Sequence, residues 1–136
     1  DCVLSQKTCL TQLKPSMQDL EEIIIGKKAV QYFAKFDVGQ GLVIAQKQII
    51  AVEALEGTDA MIKRCENLRF GGILVKMKKP KQSRKMDLPT IGVATIENCA
   101  KSGIKGIAVQ VKSTLIIDKE AVIKTADKLG IFIVVI

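Results

Sequence analysis

Three carboxylates, Glu53, Glu56 and Asp59, fall within the stretch Val52-Glu53-Ala54-Leu55-Glu56-Gly57-Thr58-Asp59-Ala60-Met61. With only 14 acidic residues against 21 basic ones in the chain, that concentration stands out. Glu56-Gly57-Thr58-Asp59 predicts a tight turn into a helix N-terminus, where backbone N–H groups lack partners and the helix dipole favours anions. Like charges this close repel, so they call for a cation, a basic partner or a raised pKa. One chemistry that answers this is a Mg²⁺ site completed by substrate phosphates, because Mg²⁺ takes one or two protein carboxylates and keeps several waters. The other reading is structural, with Thr58 or Asp59 capping the helix and both glutamates solvated. Spacing alone does not choose the site over the cap.

Downstream, Lys76, Lys78, Lys79, Lys81, Arg84 and Lys85 surround Pro80, which predicts a basic loop rather than a helix. Such a loop suits a polyphosphate, each lysine acting as a point charge with rotatable donors; it is equally the composition of a solvated loop. Asp87-Leu88-Pro89-Thr90-Ile91-Gly92 follows as a second acidic turn. Asp87 on a chain stiffened by Pro89 can serve as general base or metal ligand, or pair with Lys85 at the surface, and Thr90 can donate a hydrogen bond. Asp37-Val38-Gly39-Gln40-Gly41 is too irregular for a dinucleotide fingerprint. Its glycines form a turn or let backbone approach a ligand, with Gln40 as an amide donor. The chain has no histidine, which excludes Ser-His-Asp catalysis and H-E-x-x-H zinc chemistry.

The elements that must position these residues follow from periodicity and punctuation. Ser16 and Asp19 form a capping box before a helix from Met17 to about Phe36, with Gly26 marking a break within it. Leu42–Ala45 and Ile49–Val52 predict a hairpin across Gln46-Lys47-Gln48. A helix over Asp59–Arg69, stopped by Gly71-Gly72, leads to a strand over Ile73–Met77. A helix over Thr95–Ser102 precedes two strands, Gly106–Val111 and Thr114–Ile117, read as a second hairpin. Asp118 is expected to cap a helix ending at Leu129, and Ile131–Ile136 is an almost wholly apolar final strand. Helices interleaved with short β-branched strands define an α/β (or α+β) domain, with one mixed sheet flanked by helices. Two hairpins exclude a purely parallel sheet.

A chain of 136 residues with 48% hydrophobic composition supports one compact domain, over residues 16–136. Residues 1–15 are expected to be the remnant of an interdomain segment, and a start at Asp1 rather than Met suggests a fragment or a processed product. No run approaches the roughly 20 apolar residues that span a bilayer, and the first residues lack the order of a secretory signal. Cys2, Cys9, Cys65 and Cys99 show no zinc spacing and are expected to be reduced and buried. The net charge of +7 favours anionic partners. A basic nucleic-acid-binding module is one rival reading, but with four Phe, one Tyr and no Trp little is available for base stacking. A purely structural assembly domain is another.

Taken in order, Asp37-Val38-Gly39-Gln40, Val52-Glu53-Ala54, Glu56-Gly57-Thr58-Asp59-Ala60-Met61, Leu74-Val75-Lys76, Lys79-Pro80 with Gln82, and Asp87-Leu88-Pro89-Thr90-Ile91-Gly92 form a specific series. It resembles the C-terminal domain of the LpxI-type UDP-2,3-diacylglucosamine pyrophosphatases over about residues 10–136, and the ending, with Asp118, Glu120 and Ala126-Asp127, is similar too. The resemblance implies a cytoplasmic hydrolase of lipid A biosynthesis, peripheral to the inner membrane of Gram-negative bacteria. Such an enzyme cleaves a lipid-linked UDP-sugar to UMP and 2,3-diacylglucosamine 1-phosphate, using Mg²⁺ or another divalent cation. It implies Asp59 and Asp87 as metal ligands or water-activating groups, supported by Glu53 and Glu56. Lys76 and Lys79 would hold phosphate oxygens, and Thr58, Thr90 and Gln40 would contact the ligand. It also implies an N-terminal domain forming the other wall of a cleft, an anionic membrane surface as partner, a possible homodimer and no nucleic acid.

Overall fold

The computed structural model describes residues 9–36, 40–66, 71–77, 90–110 and 115–136. Helix α1 (Met17–Ala34) begins at Ser16, whose Oγ accepts from the Asp19 N–H while the Asp19 carboxylate accepts from the Ser16 N–H, so the capping box is present. Gly26 does not break this helix, contrary to the sequence reading. It is buried against the sheet, where a Cβ would lie 2.8 Å from Val75 Cγ2. Close approach of helix to strand, and not a bend, accounts for the glycine.

Strands β1 (Gly41–Ala45) and β2 (Gln48–Val52) form the expected hairpin. Its turn residues Gln46 and Lys47 both have positive φ, as a two-residue hairpin turn of this hand requires. Helix α2 (Thr58–Arg64) starts one residue earlier than read and ends at Arg64; residues 67–70 lie outside the described set. Strand β3 (Ile73–Lys76) is followed, beyond the undescribed residues 78–89, by the short strand β4 (Thr90–Ile91), which sequence did not indicate. Helix α3 (Val93–Lys101) starts two residues before the expected Thr95, because the Gly92 N–H is taken by Thr95 Oγ1 at 3.2 Å.

The second hairpin is not formed. Strand β5 (Gly106–Val109) lies inside the main sheet, parallel to both β3 and β7 (Phe132–Val135), whereas β6 (Leu115–Ile116) pairs in parallel with β4 in a separate two-stranded sheet. A strand buried on both faces reads as a continuous apolar run, and such a run carries no information about its partner. Helix α4 (Lys119–Leu129) follows Asp118, which occupies the cap position but makes no capping hydrogen bond with its side chain, since its backbone is left-handed (φ 57°). Gly130 closes the helix as expected.

The five-stranded sheet has the order β2-β1-β3-β5-β7, antiparallel on the β2 side and parallel on the β7 side. The mixed sheet flanked by helices is therefore the architecture that sequence predicted. Alternation sorts its side chains. Leu42, Ile44, Ile73, Val75, Ala108, Phe132 and Val134 face the core under α1, whereas Val43, Leu74, Ile107, Val109 and Ile133 face the core shared with α2, α3 and α4. The β7 edge is met by Cys9, bridged to Val134, and by the Leu10 N–H on the Ile133 carbonyl.

Candidate functional site

Open α/β sheets present ligands outside the carboxyl ends of their parallel strands. Lys76 ends β3 there, and because β1 runs antiparallel to β3, its first residue Gly41 lies opposite Lys76. Gln40 joins the two strands at this edge by accepting the Met77 N–H at 2.7 Å. Strand β2 ends at the same edge, and the Glu53 N–H returns to the Gly41 carbonyl at 2.9 Å. Three segments distant in sequence thus converge on one edge.

Glu53 is buried and both its carboxylate oxygens are engaged. Oε1 accepts a short hydrogen bond from Thr58 Oγ1, and Oε2 accepts from the Gln40 N–H at 3.4 Å. Thr58 opens α2 but turns its hydroxyl to Glu53 instead of capping the helix; the cap position is Gly57, with φ 91°, a value that suits glycine. Gly41 leaves room for this arrangement, since a Cβ there would stand 3.1 Å from the Val75 carbonyl and 3.5 Å from Glu53 Oε1. The carboxylate is held before any ligand arrives.

Lys76 is 7% exposed, and its Nζ donates to the Thr90 carbonyl at 2.8 Å, joining the chain on either side of residues 78–89. Burial lowers its pKa, and the negative charges of Glu53 and Asp59 work against that lowering. Asp59, in the first turn of α2, is exposed. Beneath it Cys99 is fully buried, and burial, reinforced by the Asp59 charge, pushes its thiol up to about 12. Burial raises the Cys65 thiol as well. Both thiols stay protonated at neutral pH, so neither is an activated nucleophile.

Glu56 goes elsewhere. Its carboxylate takes two hydrogen bonds from Arg64, at 2.5 and 3.1 Å, while the same guanidinium reaches the Val52 carbonyl at 3.3 Å. This pair fastens the Glu53–Gly57 turn to α2, and Arg64 is a participant that sequence reading missed, because a partner eight positions away fits neither helical nor strand spacing. The structure therefore brings Gln40, Glu53, Thr58, Asp59, Lys76 and Thr90 to one edge and turns Glu56 aside. Asp87 and Lys79 lie outside the described residues. Among the described residues no three Asp, Glu or Cys side chains assemble into a metal cage.

The fold is an α/β domain whose open sheet carries Glu53, Asp59 and the buried Lys76 at the carboxyl ends of its parallel strands, where sheets of this kind take their ligands. Comparison with known proteins narrows this. Residues 6–134 match the family described as the LpxI C-terminal domain. A relative from Caulobacter vibrioides, the UDP-2,3-diacylglucosamine pyrophosphatase LpxI, is 39% identical over 133 residues, covering 91% of this chain and 48% of the relative. The chain belongs to the LpxI C-terminal domain family, and it spans about half the length of the curated relative it matches.

Proposed function

We propose that this chain supplies the phosphate-handling half of a hydrolase that cleaves UDP-2,3-diacylglucosamine to UMP and 2,3-diacylglucosamine 1-phosphate. The observation that carries the proposal is the convergence of Glu53, Asp59 and Lys76 at the carboxyl edge of the sheet, in a chain of this family. In the reaction, water oxygen bonds to the α-phosphorus on the uridine side and the bond from that phosphorus to the bridging oxygen breaks. The sugar 1-phosphate leaves with the bridging oxygen. Lys76 neutralises charge on the phosphate oxygens, and Asp59 or Asp87 takes the proton of the attacking water. Thr58 and the Gln40 N–H hold Glu53 in place. Thr90 and Lys79 contribute further contacts to the ligand.

We infer that a divalent cation such as Mg²⁺, which needs few protein ligands, takes part in the reaction. Asp59 offers an exposed carboxylate and Asp87 would add a second, while Glu53, already accepting from Thr58 and the Gln40 N–H, would contribute only a remaining lone pair, and substrate oxygens and water would complete the shell. Glu56, already taken by Arg64, is the weaker candidate of the four acids. When bound, the ion would withdraw charge from the phosphorus. The net charge of +7 supports docking at the anionic cytoplasmic face of the inner membrane, where an acylated substrate resides. Among the described residues no helix is long and apolar enough to cross a membrane. The remaining half of the full-length protein would form the other wall of the cleft, and a homodimer is compatible with it.

The test uses the full-length protein that contains this chain, with UDP-2,3-diacylglucosamine and Mg²⁺, and measures UMP release. Asp59→Ala or Asp87→Ala should lower the rate by at least about 10²–10³-fold with an unchanged circular dichroism spectrum. Full activity in both variants removes these residues from the mechanism. Undiminished activity in excess chelator removes the metal.

A further inference from the structure

A recess opens beside Asp59. It is a groove of about 450 Å³ between α2 and α3, with Asp59, Ala60, Lys63 and Glu66 on one wall and Asn98 and Lys101 on the other. Gln40, Glu53, Thr58, Lys76 and Thr90 do not line it, so of the described residues gathered at the sheet edge only Asp59 is shared. Its size falls within the roughly 300–1,000 Å³ of small-ligand sites. The walls are firm, because α2 and α3 join one core through Met61, Ile62, Cys65, Ile96 and Cys99.

The lining is chemically mixed in an ordered way. Lys63 and Lys101 place a cation on each wall, Ala60 adds an apolar surface, and Asn98 presents an amide donor and acceptor side by side. That pair matches the imide edge of a pyrimidine, where a ring N–H stands between two carbonyls. Glu66 accepts from hydroxyls, as a ribose offers. Because the Lys76 cation lies within the field of Asp59, a nucleotide would lie with its phosphate toward Lys76 and its nucleoside toward Asn98 and Glu66.

We propose that the α2/α3 groove binds the nucleoside of a uridine nucleotide, delivering its phosphate to the Glu53–Asp59–Lys76 edge. This rests on the function proposed above, and the two can fail separately. The experiment titrates this chain with UMP, and in parallel with inorganic phosphate, by NMR, for the parent and for Asn98→Ala and Lys101→Ala. Both substitutions lie on a helix surface where alanine is a good helix former, so the fold is retained. UMP affinity should fall about tenfold in each variant, with phosphate affinity unchanged in Asn98→Ala. UMP affinity unchanged in both variants overturns the groove and leaves the hydrolase intact. Equal weakening of UMP and phosphate in Asn98→Ala overturns nucleoside recognition. No UMP binding by the parent chain also overturns the groove, and UMP release by the full-length protein then decides the hydrolase independently.

Discussion

Two consecutive stretches of the chain are built alike and end differently. β3, β4 and α3 are followed by β5, β6 and α4, and the two units lie side by side. Ile73–Lys76 pairs in parallel register with Gly106–Val109, and Thr90–Ile91 with Leu115–Ile116. At the matched strand ends the first unit carries Lys76, in the field of two acids, and the second carries Val109, sealed in the core. One step ahead of the strands the roles are exchanged. Gly72 enters β3, whereas its register neighbour Lys105 enters β5 and pairs with Asp19 of α1 at 2.7 Å. The scaffold is used twice, and the choice of strand end on which a lysine sits decides whether that lysine can serve the site or the fold.

The largest effect should come from erasing the difference at the strand ends. Val109→Lys puts an ammonium into the apolar cluster of Leu74, Ile91, Ile107 and Ile133. A charge buried without a partner should cost about 3 kcal/mol or more, read as a lower urea midpoint. An unchanged midpoint would mean that the two strand ends are equivalent environments.

The reverse change separates function from fold. Lys76→Met keeps a long side chain under the surface and removes the charge. It should lower UMP release by the full-length protein about 10²–10³-fold. Stability should fall by only about 1 kcal/mol, from the lost hydrogen bond to the Thr90 carbonyl. A large loss of stability with intact turnover would make Lys76 a structural residue like Lys105.

The same contrast shows what sequence could and could not reveal. The β1–β2 hairpin, the Ser16–Asp19 box and the Gly130 stop were legible because each is a local pattern with a local physical cause. The pairing of β5 with β3 and β7, and of β4 with β6, was not, since parallel partners come from distant segments and a strand buried on both faces has no polar side to declare its orientation. At the site, the acids and Lys76 were visible as residue types. Their assignments were not, because Glu53 and Glu56 have the same chemistry and differ only in which neighbour, Thr58 or Arg64, the fold brings to them. The α2/α3 groove left no signal at all, as its walls come from helices whose packing sequence did not fix.

Helix α1 leans on both units, and its two contacts can be tested apart. Against the first unit, Gly26→Ala would bring a Cβ to within 2.8 Å of Val75 Cγ2. The gain in helix propensity, about 1 kcal/mol, opposes an overpacking cost of about 1–3 kcal/mol. A net loss of about 1 kcal/mol is expected in chemical denaturation. A gain would show that helix and strand separate freely.

Against the second unit, the contact is ionic and should respond to pH. Burial tends to raise the Asp19 pKa, but the hydrogen bond and charge of Lys105, with the two hydrogen bonds to Ser16, outweigh it, and the pKa is lowered from its ordinary value of 3.8. A depressed folded-state pKa means that the unfolded chain binds the proton more readily. The contribution of Asp19 is therefore complete well above pH 3.8 and is lost as pH falls through the lowered folded value. Asp19→Asn should cost about 1 kcal/mol near neutrality, by weakening the cap. Below about pH 4 it should flatten the acid-induced loss of stability relative to the parent chain. Lys105→Gln should reproduce part of that flattening while sparing the capping box. Acid curves that are parallel in the parent and both variants would mean that α1 is held to the second unit by packing alone.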